Sequence, residues 1–316
     1  MLLEHYISVG DFNDLFLSSL FLSTTMKTIA IIGGTGMLGA PVVHALVRSG
    51  FTVSALVRDI PKAKTLLPTG VEFVFGDIRN TERELDKLLS GKEYLYLNLS
   101  VAQGEKSTDF HTETDGLKII LEAARRNGIR RIGYLSSLVQ RYQGMNGYNW
   151  WVFDVKLRAV RLLQDSGIPT SIFYASSFME NFTHGFKQGK RLNLAGTSRF
   201  PMHWIAAEDY ARQVTTAFSK PDGEIRSEYV VQGPKGLTSE QAAATFVKHY
   251  AKEKLSIASA PLGVLKFLGR FMQPMNYVAN LVEALNNYPE QFEAQTTWDE
   301  LGKPTITLEQ FAVSIK

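Results

Sequence analysis

The stretch from Ile29 to Leu46 constrains this chain more than any other. An apolar run, Ile29-Ala30-Ile31-Ile32, leads into Gly33-Gly34-Thr35-Gly36-Met37-Leu38-Gly39. A helical pattern follows, with Leu38, Val42, Ala45 and Leu46 on one face and Ser49-Gly50 as a stop. This order predicts a buried strand, a glycine turn and the start of a helix. A bare helix N-terminus after a glycine turn is an anion cradle. Gly33 permits the tight turn, Gly36 lets backbone N–H groups approach a pyrophosphate, and Gly39 lets the helix lie close to the sheet. Thr35, Met37 and Leu38 complete the candidate cradle.

The glycine register has two readings. Gly34-x-Gly36-x-x-Gly39 fits the common dinucleotide pattern, and Gly33-x-x-Gly36-x-x-Gly39 fits the spacing in short-chain dehydrogenases. A second strand, Thr52 to Val57, ends at Arg58-Asp59, about 20 residues past the glycines. Dinucleotide-binding folds read the adenosine ribose there. Arg58, with Lys62 and Lys64 close behind, favours the 2′-phosphate of NADP, whereas Asp59 keeps NAD open. NADP(H) is the expected cofactor and NAD(H) the alternative.

Strand-like runs recur down the chain. Val71 to Phe75 is followed by Gly76-Asp77, where Asp77 either accepts from an adenine amino group or caps a turn. Tyr94 to Leu99 ends near Asn98 and Ser100, at the sheet edge where ligands bind in open α/β folds. Ala102 to Asp109 reads as a polar loop. Arg131 to Leu135 ends in Ser136-Ser137, which serve either a reacting carbonyl or turn chemistry. Thr170 to Ala175 leads into Ser176-Ser177-Phe178-Met179-Glu180-Asn181, where Phe178 and Met179 are candidates to line a substrate pocket beside Ser137 and Tyr148. Asp209 reads as a cap or structural acceptor. Glu228 to Gln232 is the last strand of the series, and Thr238 is a helix cap.

The helix from about Trp150 to Ser166 carries the sharpest site signal. Val152, Lys156, Ala159, Val160 and Leu163 fall on one stripe at helical spacing, so Lys156 lies on the sheet-facing side. A lysine there needs a partner or a wet cleft. Nicotinamide ribose hydroxyls are one candidate, and snorkelling to the stripe edge is the other reading. Lys156 and Ser136 are the candidate catalytic pair.

Past Leu237 the strand–helix alternation stops. Residues 261–287, rich in Leu, Phe, Met and Val and broken by Pro274, read as helices of a lid. For Phe267, Phe271, Met272 and Tyr277, core packing is the simpler expectation and contact with an apolar substrate the alternative. The expected division is a dinucleotide-binding domain over 26–236, with 176–204 contributing to the cleft, and a helical substrate lobe over 237–316. Residues 1–25 read as an extension outside the fold, with Met26 as the natural start. Their short apolar stretch, broken by Ser18-Ser19, fits neither a signal peptide nor a membrane helix.

Composition narrows the function further. A net charge of +3 in 316 residues gives no reason to expect nucleic acid or a membrane surface as partner. The chain has no cysteine, which excludes disulfides and thiolate catalysis and fits the cytoplasm. The six histidines show no metal-ligand spacing, so no metal is expected.

Several of these segments resemble the NmrA-like family, atypical extended relatives of the short-chain dehydrogenases. They are Gly-Gly-Thr-Gly-Met-Leu-Gly at 33–39, Ala-Leu-Val-Arg-Asp at 55–59, Gly-Asp at 76–77, Lys156 ahead of Ser-Gly-Ile-Pro-Thr at 166–170, Ser-Phe-Met-Glu-Asn at 177–181 and Leu-Gly-Lys-Pro at 301–304. The resemblance implies an α/β, doubly wound, mainly parallel seven-stranded Rossmann sheet with a small, mostly helical C-terminal lobe. It places NAD(P) across the carboxyl edge, with glycines 33, 36 and 39 at the pyrophosphate, Arg58 at the 2′-phosphate, Asp77 at the adenine and Lys156 at the nicotinamide ribose. The family includes quinone and isoflavonoid-type reductases and also cofactor-binding sensors.

Two positions depart from the relatives' pattern. The usual Tyr-x-x-x-Lys has Val152 in place of its tyrosine, and Tyr148 lies two helical turns from Lys156. Tyr174-Ala175 stands where many relatives carry Arg-Pro. Without the tyrosine, ordinary alcohol dehydrogenation is not expected. The reading is therefore a reductase of a small apolar carbonyl, enone or quinone. The alternative is a redox sensor acting through a protein partner, and a nucleotide-sugar epimerase or dehydratase is the third choice. A homodimer is compatible with either of the first two.

Overall fold

In a computed structural model, the described residues are 26–80, 82–223 and 225–315. The expectation about residues 1–25 falls outside them. The elements are β1 (Thr28–Ile32), α1 (Gly39–Arg48), β2 (Thr52–Val57), α2 (Ile60–Leu66), β3 (Glu72–Phe75), α3 (Glu82–Leu89), β4 (Tyr94–Leu97), α4 (Leu117–Arg126), β5 (Arg131–Ser137), α5 (Trp151–Gln164) and β6 (Thr170–Ala175). There follow α6 (Asn181–His184), β7 (Lys187–Gln188), β8 (Arg191–Ala195), β9 (Met202–His203), α7 (Ala207–Ser219), β10 (Arg226–Val231), β11 (Gly236–Leu237) and α8 (Ser239–His249). The chain ends with β12 (Ser256–Ala260), α9 (Leu262–Gly269), α10 (Gln273–Asn287), α11 (Gln295–Leu301) and α12 (Leu308–Ser314).

Seven strands form one sheet in the order β3-β2-β1-β4-β5-β6-β10, and every neighbouring pair is parallel. This is a doubly wound Rossmann-type arrangement. Parallel strands are buried on both faces, so their residues are apolar on both sides of the pleat. Ile29 and Ile31 pack with Val42 and Leu46 of α1 and with Tyr210 and Val214 of α7. Ala30 and Ile32 point the other way, toward Leu85, Leu117, Val152 and Leu163 from α3, α4 and α5. The order reverses between β1 and β4, so the loops after these strands flank the crevice where this fold binds ligands.

A third core joins the segment after β6 to the C-terminal elements: Phe182, Leu192 and Trp204 pack with Phe246, Phe311 and Ala312. Two features here were not foreseen. β12 pairs in parallel with β8, which pairs antiparallel with β7, so the lobe carries a three-stranded sheet as well as helices. Its strand Ser-Ile-Ala-Ser-Ala is short and has little apolar alternation. Phe267, Phe271 and Met272 are also not core residues: they are 57%, 77% and 53% exposed on and just after α9. Tyr277 packs edge-on against Trp150. As read from the sequence, Thr238 caps α8 in a capping box with Gln241, and Asp209 is structural, accepting from the backbone N–H groups of Thr305 and Ile306. No described helix is long and apolar enough to cross a membrane.

Candidate cofactor and acceptor site

The glycine loop shows which glycines serve packing and which serves a ligand. Gly33 has φ +85°, and a Cβ there would sit 2.1 Å from the Asn98 carbonyl oxygen. A Cβ on Gly39 would sit 2.1 Å from the Gly33 oxygen. Both positions are closed by the protein itself. At Gly36 a Cβ would meet only Gly33 O at 3.4 Å and Asn98 Nδ2 at 3.6 Å, and the residue is exposed. The fold does not need that space, so a glycine there fits a group bound against the backbone. The first turn of α1 has no acidic residue and no side-chain cap; the Ala40 N–H donates to Gly36 O and Pro41 has none, but the positive end of the helix faces the turn and suits an anion. The cradle fits the pyrophosphate of a dinucleotide.

Along the edge, Asn98 Nδ2 donates a long 3.5 Å hydrogen bond to Gly33 O, tying the loop after β4 to the cradle. Ser100 is exposed, and its carbonyl accepts from Thr112 Oγ1. Arg58 is 79% exposed in its side chain and 3.9 Å from Asp77 Oδ2. Asp77 also accepts from the Arg79 N–H at 3.1 Å, so its turn-capping role is realised whatever else it holds. Asp59 caps α2 by accepting from the Lys62 N–H at 2.9 Å. Its carboxylate is already engaged, while the Arg58 guanidinium reaches into solvent.

Lys156 has the partner its position demanded. Its Nζ donates to Glu113 Oε1 at 2.8 Å, and Glu113 is fully buried. The same oxygen accepts from Tyr134 Oη at 2.7 Å, and Oε2 accepts from the Val101 N–H at 3.1 Å. Glu113 lies in a π-helical turn, Thr112–Gly116, which enters α4. Such turns displace one residue from the helical register and recur at functional sites. Burial, and then the Glu113 carboxylate, push the Tyr134 phenol well above its ordinary value. Tyr134 therefore braces Glu113 as a neutral donor. The sequence reading missed both residues. The signal that could have found Glu113 was the lysine itself, which called for a buried carboxylate.

The loop after β4 is fastened beside this cluster. His111 Nδ1 lies 2.8 Å from Glu105 Oε2, and the imidazole stacks on Trp151 with centroids 4.8 Å apart. Gln273, the first residue of α10, donates to the Glu105 carbonyl at 2.8 Å. Tyr148 Oη donates to the Asn280 carbonyl at 2.9 Å, so this phenol anchors α10 rather than facing Lys156. Val152 is buried in the core. Ser136 is buried and donates to Gln140 Oε1 at 3.2 Å.

A cavity of about 130 Å³ opens at the carboxyl ends of β5 and β6. Ser137, Ser176 and Asn181 line one side, Leu281 and Leu285 of α10 cover it, and Glu290 lies in its wall. Phe178 and Met179 do not line it. Phe178 packs against Tyr210, and Met179 is in the C-terminal core. The segment pairs with Ile205 through a short bridge at Phe178, and both side chains are buried in the cores on either side of it. Next to Asn181, Glu180 Oε1 accepts from the Ala207 N–H at 2.9 Å, and its other oxygen is buried without a partner among the described residues. Burial lifts this carboxyl to about 7, against the pull of the Ala207 hydrogen bond.

The chain is similar to several known proteins over most of its length. An NAD(P)H azoreductase of Xenophilus azovorans is 23% identical over 296 residues, covering 90% of this chain and 96% of the relative. A photosystem II assembly factor (Ycf39) of Trieres chinensis is 23% identical over 262 residues, covering 82% of this chain and 80% of the relative. The crystal structure of the Escherichia coli NADPH-dependent quinone oxidoreductase QOR2 with NADPH superposes with a TM-score of 0.69 at 22% identity, covering 90% of this chain and 98% of that one, which shows a shared fold. The sequence pattern of the NmrA-like family matches residues 25–310, and the chain belongs to that family.

Proposed function

We propose that this protein is an NADPH-dependent reductase of a small, largely apolar acceptor: a carbonyl, an enone or a quinone. The observation that carries the reading is the cavity between Ser137 and Ser176 on the sheet edge and Leu281 and Leu285 on the covering helix. It lies past the ends of β5 and β6, on the side of the sheet switch point away from the Arg58 end. NADPH, when bound, supplies the hydride. The backbone around Gly36 would hold its pyrophosphate and Arg58 its 2′-phosphate. Lys156, fixed by Glu113, would orient the nicotinamide ribose. Asp59 is committed to a helix cap, which favours NADPH over NADH. The NADPH-bound QOR2 and the NAD(P)H azoreductase support a nicotinamide cofactor and a reductase.

The reading also accounts for Val152. A reduced quinone is a stabilised anion that can take its proton from water, so no tyrosine acid is required beside Lys156. The test is NADPH oxidation against a panel of quinones and enones, with NADH in parallel. Turnover above background with at least one acceptor is expected. Background rates with every acceptor, together with unchanged NADPH binding in Lys156→Ala, would refute the reading.

A second reading, a cofactor-dependent regulator acting on a protein partner, is favoured by the exposed Phe267, Phe271 and Met272 and by the assembly-factor relative. It requires a partner whose affinity changes between NADPH and NADP+ forms. Equal partner binding in both forms rules it out.

A further inference from the structure

We propose that the acceptor pocket contains a subsite for a hydrogen-bond donor, built on Glu290 and Ser176, so that the preferred ligand is an apolar ring body carrying one hydroxyl or ammonium group. The inference rests on the pocket being the acceptor site, and it names the class of acceptor. Glu290 follows α10 and is 6% exposed, yet it lines the cavity. Four protein groups contact its carboxylate. Oε1 lies 2.8 Å from Gln232 Nε2, 3.1 Å from the His203 backbone nitrogen and 3.2 Å from His203 Nδ1. Oε2 lies 2.8 Å from Ser176 Oγ.

These contacts are unequal, and the inequality gives the subsite its polarity. A carboxylate has about four lone-pair directions, two on each oxygen. Three of the four contacts crowd Oε1, and Oε2 receives only the serine, so the spare acceptor capacity is on Oε2. Ser176 spends its single hydrogen on Glu290 and presents lone pairs alone. The polar wall made by these two residues accepts hydrogen bonds and carries negative charge. The rest of the lining includes the apolar side chains of Val139, Ala175, Leu281 and Leu285. These suit an uncharged ring, a donor on it completes Oε2, and an anionic substituent is repelled. None of these contacts comes from an arginine or a lysine, and the open side of Oε2 is left to the ligand.

The experiment is equilibrium binding of three non-reducible probes to the full chain in excess NADP+: 2-naphthylmethanol, 2-methylnaphthalene and 2-naphthoate. The alcohol should bind about tenfold more tightly than the hydrocarbon, the margin of one hydrogen bond to a charged group, and the naphthoate should bind more weakly than either. Glu290→Gln should reduce the alcohol's advantage to about threefold or less and should relieve the exclusion of naphthoate. Ser176→Ala, a smaller change kept in case the first variant does not fold, should also reduce the alcohol's advantage. Equal binding of alcohol and hydrocarbon to the native chain, no binding of any probe, or an advantage unchanged in the folded variants would overturn the subsite. Failure of every acceptor to oxidise NADPH, with the probe preference intact, would refute the reductase and leave the donor subsite standing. Turnover with no probe preference would do the reverse.

Discussion

The ammonium of Lys156 and the carboxylate of Glu113 are 2.8 Å apart, with Glu113 wholly buried and Lys156 15% exposed. The pair joins the π-helical turn before α4 to α5, and Tyr134 Oη braces it from β5. Removing one partner from a buried ion pair strands the other charge and costs about 3 kcal/mol or more. Glu113→Ala is therefore expected to destabilise the chain by about 3 kcal/mol, and Glu113→Gln by less. The double variant Glu113→Gln, Lys156→Met should lose less than the sum of the singles. Urea denaturation of the four proteins checks this; additive losses would mean that the two side chains do not act as a pair.

Gly36 and Gly39 separate ligand space from packing space. A Cβ at Gly39 would lie 2.1 Å from the Gly33 oxygen, backbone against backbone, so Gly39→Ala should lower stability by several kcal/mol, on the order of 3. At Gly36 the nearest atom is 3.4 Å away. Gly36→Ala should change stability by less than about 1 kcal/mol while weakening NADPH binding at least about tenfold, because the methyl enters the cradle. Thermal melts and NADPH fluorescence titrations on both variants check the contrast. Unchanged NADPH affinity in Gly36→Ala would remove the pyrophosphate from this loop.

Why some of this was legible in the sequence and some was not follows from range. The glycine turn, the strand ends at Arg58 and Asn98 and the lysine on an apolar stripe are local patterns, and the parallel sheet forms around them. Glu113 stands in a polar segment whose π-turn leaves no periodic trace, and its partner lies 43 residues on. Glu290 sits on a connection and meets Ser176 only after the lobe folds back over the sheet, 114 residues away in the chain. The apolar run of α9 looked like core because apolarity alone does not say which face is covered. Of its residues only Gly269 is buried. Phe178 and Met179 follow a strand at the functional edge, and only the folded chain shows that both are buried in the cores.

Arg58 tests the cofactor. With 79% of its side chain exposed and, among the described residues, no ion-pair partner closer than Asp77 at 3.9 Å, it can turn to a 2′-phosphate at little cost. A charge-assisted hydrogen bond is worth ~1.5–3 kcal/mol. Arg58→Ala should therefore weaken NADPH about tenfold or more and leave NADH within about twofold, because NADH has no 2′-phosphate to lose. Parallel titrations with both cofactors measure it. An equal loss for both would place Arg58 elsewhere on the dinucleotide.

Glu180 makes stability depend on pH with a definite sign. Burial raises its carboxyl from 4.5 to about 7. An acid whose value is raised on folding binds its proton more tightly in the folded state. Below about pH 4.5 the group is protonated in both states and contributes no difference. Between about pH 4.5 and 7 the unfolded chain gives up this proton while the folded chain keeps it, so stability falls across that window and levels off above it, where folding buries the charge. The shift corresponds to about 3 kcal/mol. Glu180→Gln keeps an oxygen to accept the Ala207 N–H and removes the titration. Its stability relative to the native chain should improve from pH 4 to pH 8 by about 3 kcal/mol. Denaturant melts of both proteins across that range give the difference directly, with all other titrating groups cancelling. A flat difference would mean that Glu180 is ionised at its ordinary pH in the folded chain, and its unpartnered oxygen would then have to be solvated.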